Sequence, residues 1–265
     1  METIEIIGFI AALIIGVVLG LIGGGGSILT VPVFVYILSF DPIIATAYSL
    51  FVVGTTALVG AIRNAQKGMV DFKTGIIFAI PALITVYLTR RYIVPAIPDQ
   101  LFSVGDFMVT KSIGIMVFFA LIMLLAAYFM IKGRKEENTE ETAVQYNIPL
   151  ILVEGTLVGF LTGIVGAGGG FLIIPALVLL AKLSMKNAVA TSLLIIAIKS
   201  LIGFIGDVEN IAIDWTFLVV FTLFSVVGIF IGMYLTRFID GNKLKKGFGW
   251  FVLIMGIYIV FKELM

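Results

Sequence analysis

Two long apolar stretches, each cut near its middle by a cluster of glycines, constrain this chain more than any other feature. The first, Ile4 to Leu38, carries no charge beyond Glu5 at its edge and is cut at Gly23-Gly24-Gly25-Gly26. The second, Ile148 to Ala181, carries one charge, Glu154, and is cut at Gly166-Ala167-Gly168-Gly169-Gly170. Each exceeds the roughly 20 helical residues that cross a bilayer's hydrocarbon core. Glycine disfavours continuous helix and admits φ > 0, so each stretch predicts two shorter helical pieces meeting at a break. Three further apolar runs follow each one: Pro42 to Arg63, Phe72 to Tyr92 and Phe107 to Ile131, then Asn187 to Ile205, Trp215 to Leu235 and Gly247 to Phe261.

With 61% hydrophobic and 12% charged residues, the chain has too little polar surface to cover a water-facing exterior. A net charge of +1 gives no basic field for nucleic acid. Cys and His are absent, which excludes disulfides, thiolate chemistry, Cys or His metal sites and a His-based triad. No carboxylates cluster within the apolar runs, so neither an enzyme nor a cofactor is expected. The start, Met1-Glu2-Thr3-Ile4-Glu5, is acidic where a secretory signal needs positive charge, and the first run reads as retained.

The two halves repeat one plan. At an offset of 143 residues, Gly20, Gly23 and Gly26 meet Gly163, Gly166 and Gly169. Pro32 meets Pro175, Ser49 meets Ser192, Gly60 meets Gly203, and Asp71 meets Asp214 at the same offset. After a shift of four, Tyr87-Leu88-Thr89-Arg90 meets Tyr234-Leu235-Thr236-Arg237. Residues 1–131 and 148–265 are therefore read as two transmembrane repeats joined by a charged cytoplasmic linker at 132–147. The fold class is all-α and polytopic, each repeat holding a glycine-broken helical hairpin plus three spanning helices.

Lys and Arg accumulate in cytoplasmic loops. The loop with Arg63, Lys67 and Lys73 then lies inside, while its repeat partner, with Asp207, Glu209 and Asp214, lies outside. Equivalent loops on opposite sides mean inverted repeats, with both termini outside. The Arg90 to Lys111 segment fits this scheme poorly and is expected to be an outer loop or interfacial excursion. The breaks are open either to full spanning or to re-entrant hairpins.

Broken helices at matching positions of inverted repeats point to a substrate site. The helical pieces restart near Ser27 and Gly170, where unpaired amides and the helix dipole favour an anion. Gly24, Gly25, Gly26, Gly168, Gly169 and Gly170 would let it approach the backbone. The alternative is that these glycines serve close helix packing. Ser27, Ser49, Thr191 and Ser192 offer hydroxyl donors, or bonds to their own helix carbonyls. Lys199, well inside a span, either attracts the anion and exchanges a proton or snorkels to the interface. Glu154 either pairs with Lys199 or carries a coupling proton, unless it sits at the interface. Asp71 and Asp214 are expected as helix N-caps.

Gly20-Leu21-Ile22-Gly23-Gly24-Gly25-Gly26-Ser27, then Pro32, then Ala45-Thr46-Ala47-Tyr48-Ser49-Leu50 resembles the signature of the sulfite exporter TauE/SafE family of permeases. Gly163 to Gly170, Pro175 and Asn187 to Leu193 repeat it, with Ala167 in place of Gly24. The resemblance implies secondary transport of sulfite, an organosulfonate or a related sulfur-containing anion across the cell membrane. Expected partners are that small anion, the lipid bilayer and a coupling ion, proton or Na⁺. The competing functions are a carrier or channel for another solute or cation, and a non-transport membrane subunit.

Overall fold

Glycine interrupts the helices where the sequence places the breaks. The computed structural model describes residues 3–104, 107–132, 148–166, 168–179, 183–236, 238 and 241–264. Helix α1 (Thr3–Ile22) stops at Gly23, whose φ of +79° no helix accommodates. A 3₁₀ turn at Gly24–Gly26 leads into α2 (Ser27–Pro32) and a π-helical turn at Val33–Ile37. Asp41 caps α3 (Pro42–Gln66) by accepting from the Ile43 amide. Asp71 caps α4 (Phe72–Leu88), which continues through a π-helical turn at Thr89–Ile93 into the single turn α5 (Val94–Ala96). An antiparallel hairpin of β1 (Gln100–Val104) and β2 (Phe107–Thr110) precedes α6 (Lys111–Lys132).

The second half follows the same order: α7 (Ile148–Val165), α8 (Gly170–Leu179), α9 (Met185–Asp207), α10 (Trp215–Leu235) and α11 (Gly241–Leu264). Between α7 and α8, Gly166, Gly168 and Gly169 all take positive φ. Asp214 caps α10, as expected, with its carboxylate accepting from the Phe217 amide. Five described helical stretches are long and apolar enough to cross a membrane. The chain is an all-α polytopic membrane protein.

Two expectations need correction. The span expected from Phe107 begins at Lys111, because Phe107–Thr110 pairs with β1 instead. Arg90, expected in an outer loop, lies inside the π-helical turn and is fully buried. The linker beyond Lys132, together with Ala167, Lys182 and Arg237, falls outside the described residues.

Helix pairing is reciprocal between the halves. Helix α1 lies along α10 in the same direction: Gly16 faces Ser225, and Gly20 faces the Ile229 backbone. Helix α7 lies along α4 in the same way, Gly155 facing Phe78 and Gly159 facing Ala82. Small residues let these backbones approach closely where lipid offers no hydrophobic drive between helices. Helices α3 and α9 cross the centre in opposite directions, with Gly60 against Leu193 and Leu50 against Gly203. Helix α2 folds back along α1: Gly26 lies against Ile15 and Leu19, and Leu38 reaches Gly8. That contact makes the first break a hairpin.

Candidate functional site

The two breaks meet. A Cβ on Gly24 would overlap the Gly170 backbone, and one on Gly170 would overlap Gly24, so each position tolerates hydrogen alone. The junction lies beside Ile196, halfway along α9. Each break also rests on the other half's central helix: Gly23 touches Val189 and Ser192 of α9, while Gly166 touches Thr46 of α3. Thr46 and Ser49 stand at the repeat positions of Val189 and Ser192.

The site residues distribute as follows. Ser27 starts α2, is buried, and donates its hydroxyl to the Gly24 carbonyl at 2.7 Å. Gly25 sits in the 3₁₀ turn, and Gly26 turns towards α1. Gly168 faces Ser27 across the junction, a Cβ there falling 3.0 Å from Ser27 Cβ. A Cβ on Gly169 would stand 3.0 Å from Lys199 Nζ.

Lys199 is 0% exposed. It does not snorkel; its ammonium turns inward and donates to Thr162 Oγ1 at 2.7 Å. The Thr162 hydroxyl in turn donates to the Val158 carbonyl at 2.6 Å. Among the described residues no carboxylate lies within ion-pairing distance of Lys199, so the Glu154 pairing is not formed. Glu154 is half-buried on α7, two turns before Thr162 on the same helix face.

Ser49 lies on α3 between Thr46, which touches Gly166, and Val53, which touches Gly168. The spacing of 46, 49 and 53 keeps the three on one helix face, so Ser49 faces the second break. Its hydroxyl is buried without a hydrogen-bond partner. Buried hydroxyls normally find one. Ser192 donates to the Val189 carbonyl at 2.8 Å, and its oxygen would lie 3.3 Å from a Cβ on Gly23.

Thr191 is not brought to the junction. It accepts from the Asp71 amide at 2.9 Å, holding the start of α4. Its repeat counterpart, Tyr48, accepts from the Asp214 amide at 2.7 Å and holds the start of α10. These reciprocal braces explain the matched polar positions without a ligand. Sequence reasoning missed Thr162, because a threonine in a span carries no pattern of its own.

The junction therefore gathers an ammonium with one neutral partner, an unpartnered hydroxyl and backbone that glycine leaves uncovered. Buried positive charge without a counter-charge is costly, and a bound anion would supply the missing partner. With Ser27, Ser49 and Lys199 all fully buried, the site is shut off from solvent in this conformation.

Known proteins resemble this one along nearly the whole chain. The family model for sulfite exporter TauE/SafE matches residues 8–259. A probable membrane transporter protein of Xylella fastidiosa (strain 9a5c) is 30% identical over 258 residues, 94% of this chain and 92% of its own. The probable membrane transporter protein YunE of Bacillus subtilis (strain 168) is 29% identical over 265 residues, 95% of this chain and 93% of its own. No solved structure matches the chain. Broken helices that meet within a polytopic bundle, together with this near-complete family match, make the chain a membrane transporter belonging to the sulfite exporter TauE/SafE family.

Proposed function

We propose that the protein is a secondary transporter for a small sulfur-containing anion, sulfite or an organosulfonate or related organosulfur anion, working by alternating access. The observation that carries the anion assignment is Lys199: fully buried, beside Gly169, and hydrogen-bonded to one neutral hydroxyl. Ser49 supports it as a second unsatisfied donor facing the same break. The amides that open α8 at Gly170 add partial positive charge. Sulfur oxyanions suit such a donor set because their oxygens accept from several directions. The sulfur specificity itself rests on the family.

Inverted repeats are supported by the antiparallel crossing of α3 and α9 and by the reciprocal pairs α1 with α10 and α7 with α4. The Tyr36 hydroxyl donates to Glu263, and Gly8 lies against Leu38, so the first part of α1 and the last turn of α11 lie near the end of the bundle where α3 begins. Loop charge assigns that end to the outside of the cell membrane. Glu154 is the proposed carrier of a coupling proton, being the acidic group nearest to Thr162 along α7.

Reconstituted vesicles test the proposal. Purified protein should exchange labelled sulfite, thiosulfate or a sulfonate but not chloride, and the accepted anion should raise its melting temperature. Equal stabilisation by chloride, or none by any sulfur anion, would overturn it.

A further inference from the structure

A second buried cation stands above the second break and already has a counter-charge. Arg90 is 0% exposed. Its Nε donates to Asp207 Oδ2 at 2.6 Å, and Nη2 lies 2.6 Å from the same oxygen. Nη1 donates to Thr46 Oγ1 at 3.0 Å and to the Gly163 carbonyl at 3.2 Å. Gly163 lies in the last turn of α7, where carbonyls lack helical partners and a cation is favoured. One guanidinium thus ties α4 to the end of α9, the start of α3 and the end of α7. Thr46 touches both Arg90 and Gly166, so the tie lies directly over the second break. Asp207 is eight residues from Lys199 along α9, about 12 Å at helical rise. Beside it, at the surface, Arg91 pairs with Glu209 at 2.7 Å.

Among the described residues the other end of the bundle lacks the carboxylates of this tie, while Arg237, the counterpart of Arg90, falls outside them. At the 143-residue offset, Asp207 corresponds to Asn64 and Glu209 to Gln66. At the 147-residue offset, Arg91 corresponds to Phe238. Both carboxylates of one end are amides at the other. Helical packing needs no such difference, since Asn and Asp share a shape and Gln and Glu share another. It removes the two negative charges that pair with Arg90 and Arg91 at the first end.

We infer that Arg90–Asp207, backed by Arg91–Glu209, is a charged latch closing one end of the transport pathway, and that the Asn64 and Gln66 end opens more readily. Arg90 acts as a positioning residue: it holds three helix ends over the site and does not touch the substrate. Opening at its end separates Arg90 from Asp207, and water must then solvate the guanidinium. The resting population is therefore biased towards access from the amide end. This inference rests on the alternating-access proposal.

The chain has no cysteine, so Ser49→Cys provides a single thiol beneath the latch. Its labelling rate is measured with a membrane-impermeant thiol reagent added to one side or the other of oriented vesicles. With the latch intact, labelling should be faster from the Asn64 end. Asp207→Asn should raise labelling from the latched end by about tenfold or more, the factor that a lost charge-assisted hydrogen bond supports. It should leave the other side unchanged or slower. Glu209→Gln, at the surface and harmless to folding, should raise it about twofold. Labelling from both ends, with neither substitution altering the rates, would overturn the latch and leave alternating access standing. Labelling from one end in every background would remove alternating access and the latch together. If Asp207→Asn does not fold, an unchanged rate in Glu209→Gln overturns the latch.

Discussion

Replacing Lys199 with Met separates the two roles that a buried residue can have. Met has nearly the length and volume of Lys, so packing against Gly169 and Thr162 survives while the charge is lost. A lysine near a span's centre costs at least about 2.5 kcal/mol on insertion scales. Its bond to Thr162 returns about 1.5 kcal/mol or somewhat more. Thr162 is not orphaned by the change, because its hydroxyl still donates to the Val158 carbonyl. Lys199→Met should therefore stabilise the empty protein by about 1 kcal/mol, the surplus of desolvation over hydrogen bonding. The same substitution should abolish stabilisation by sulfite, which in the native protein approaches about 2.7 kcal/mol at a hundredfold excess over Kd. Differential scanning of detergent-purified protein, with and without anion, reads both effects at once. A Lys199→Met protein that melts lower than native yet keeps the full sulfite shift would refute the reasoning and return Lys199 to a structural role.

Other substitutions probe the rest of the junction. Gly24→Ala puts a methyl group against Gly170 backbone that cannot swing aside; it should cost about 3 kcal/mol and abolish transport in vesicles. A double variant with Gly170→Ala should melt well above the sum of the two single losses, because both break one contact. Ser49→Ala removes an unsatisfied buried hydroxyl, so the melting temperature should hold or rise slightly while sulfite affinity falls about tenfold by calorimetry. Thr191→Val should lose about 1 kcal/mol of stability through the Asp71 amide, with anion affinity by calorimetry unchanged.

Much of this protein was legible without coordinates because its signals are local. Hydrocarbon thickness sets the length of an apolar run, so α3, α9 and α10 follow the expected spans closely. Gly23 and Gly166 mark the breaks because few other residues hold positive φ at low cost. Asp71 and Asp214 cap helices through bonds to amides three residues along, which a sequence displays directly. The doubled motif carried the family.

What tertiary structure decided is which polar groups meet. Thr191 and Ser192 are neighbours in sequence, yet about 100° of helical rotation sends one to the start of α4 and the other to the first break. Arg90 reads as a loop cation until α4 continues past it and delivers it to Asp207, 117 residues away. The Phe107 strand exists because Gln100–Val104 lies opposite it. Lys199 gains its meaning from having no carboxylate beside it among the described residues, which only the neighbours brought in by folding can determine. Sequence settles where the backbone is free to break; the solvent-excluded company around each charge is a property of the packed bundle, since a buried charge is governed by what lies within a few ångströms of it in space.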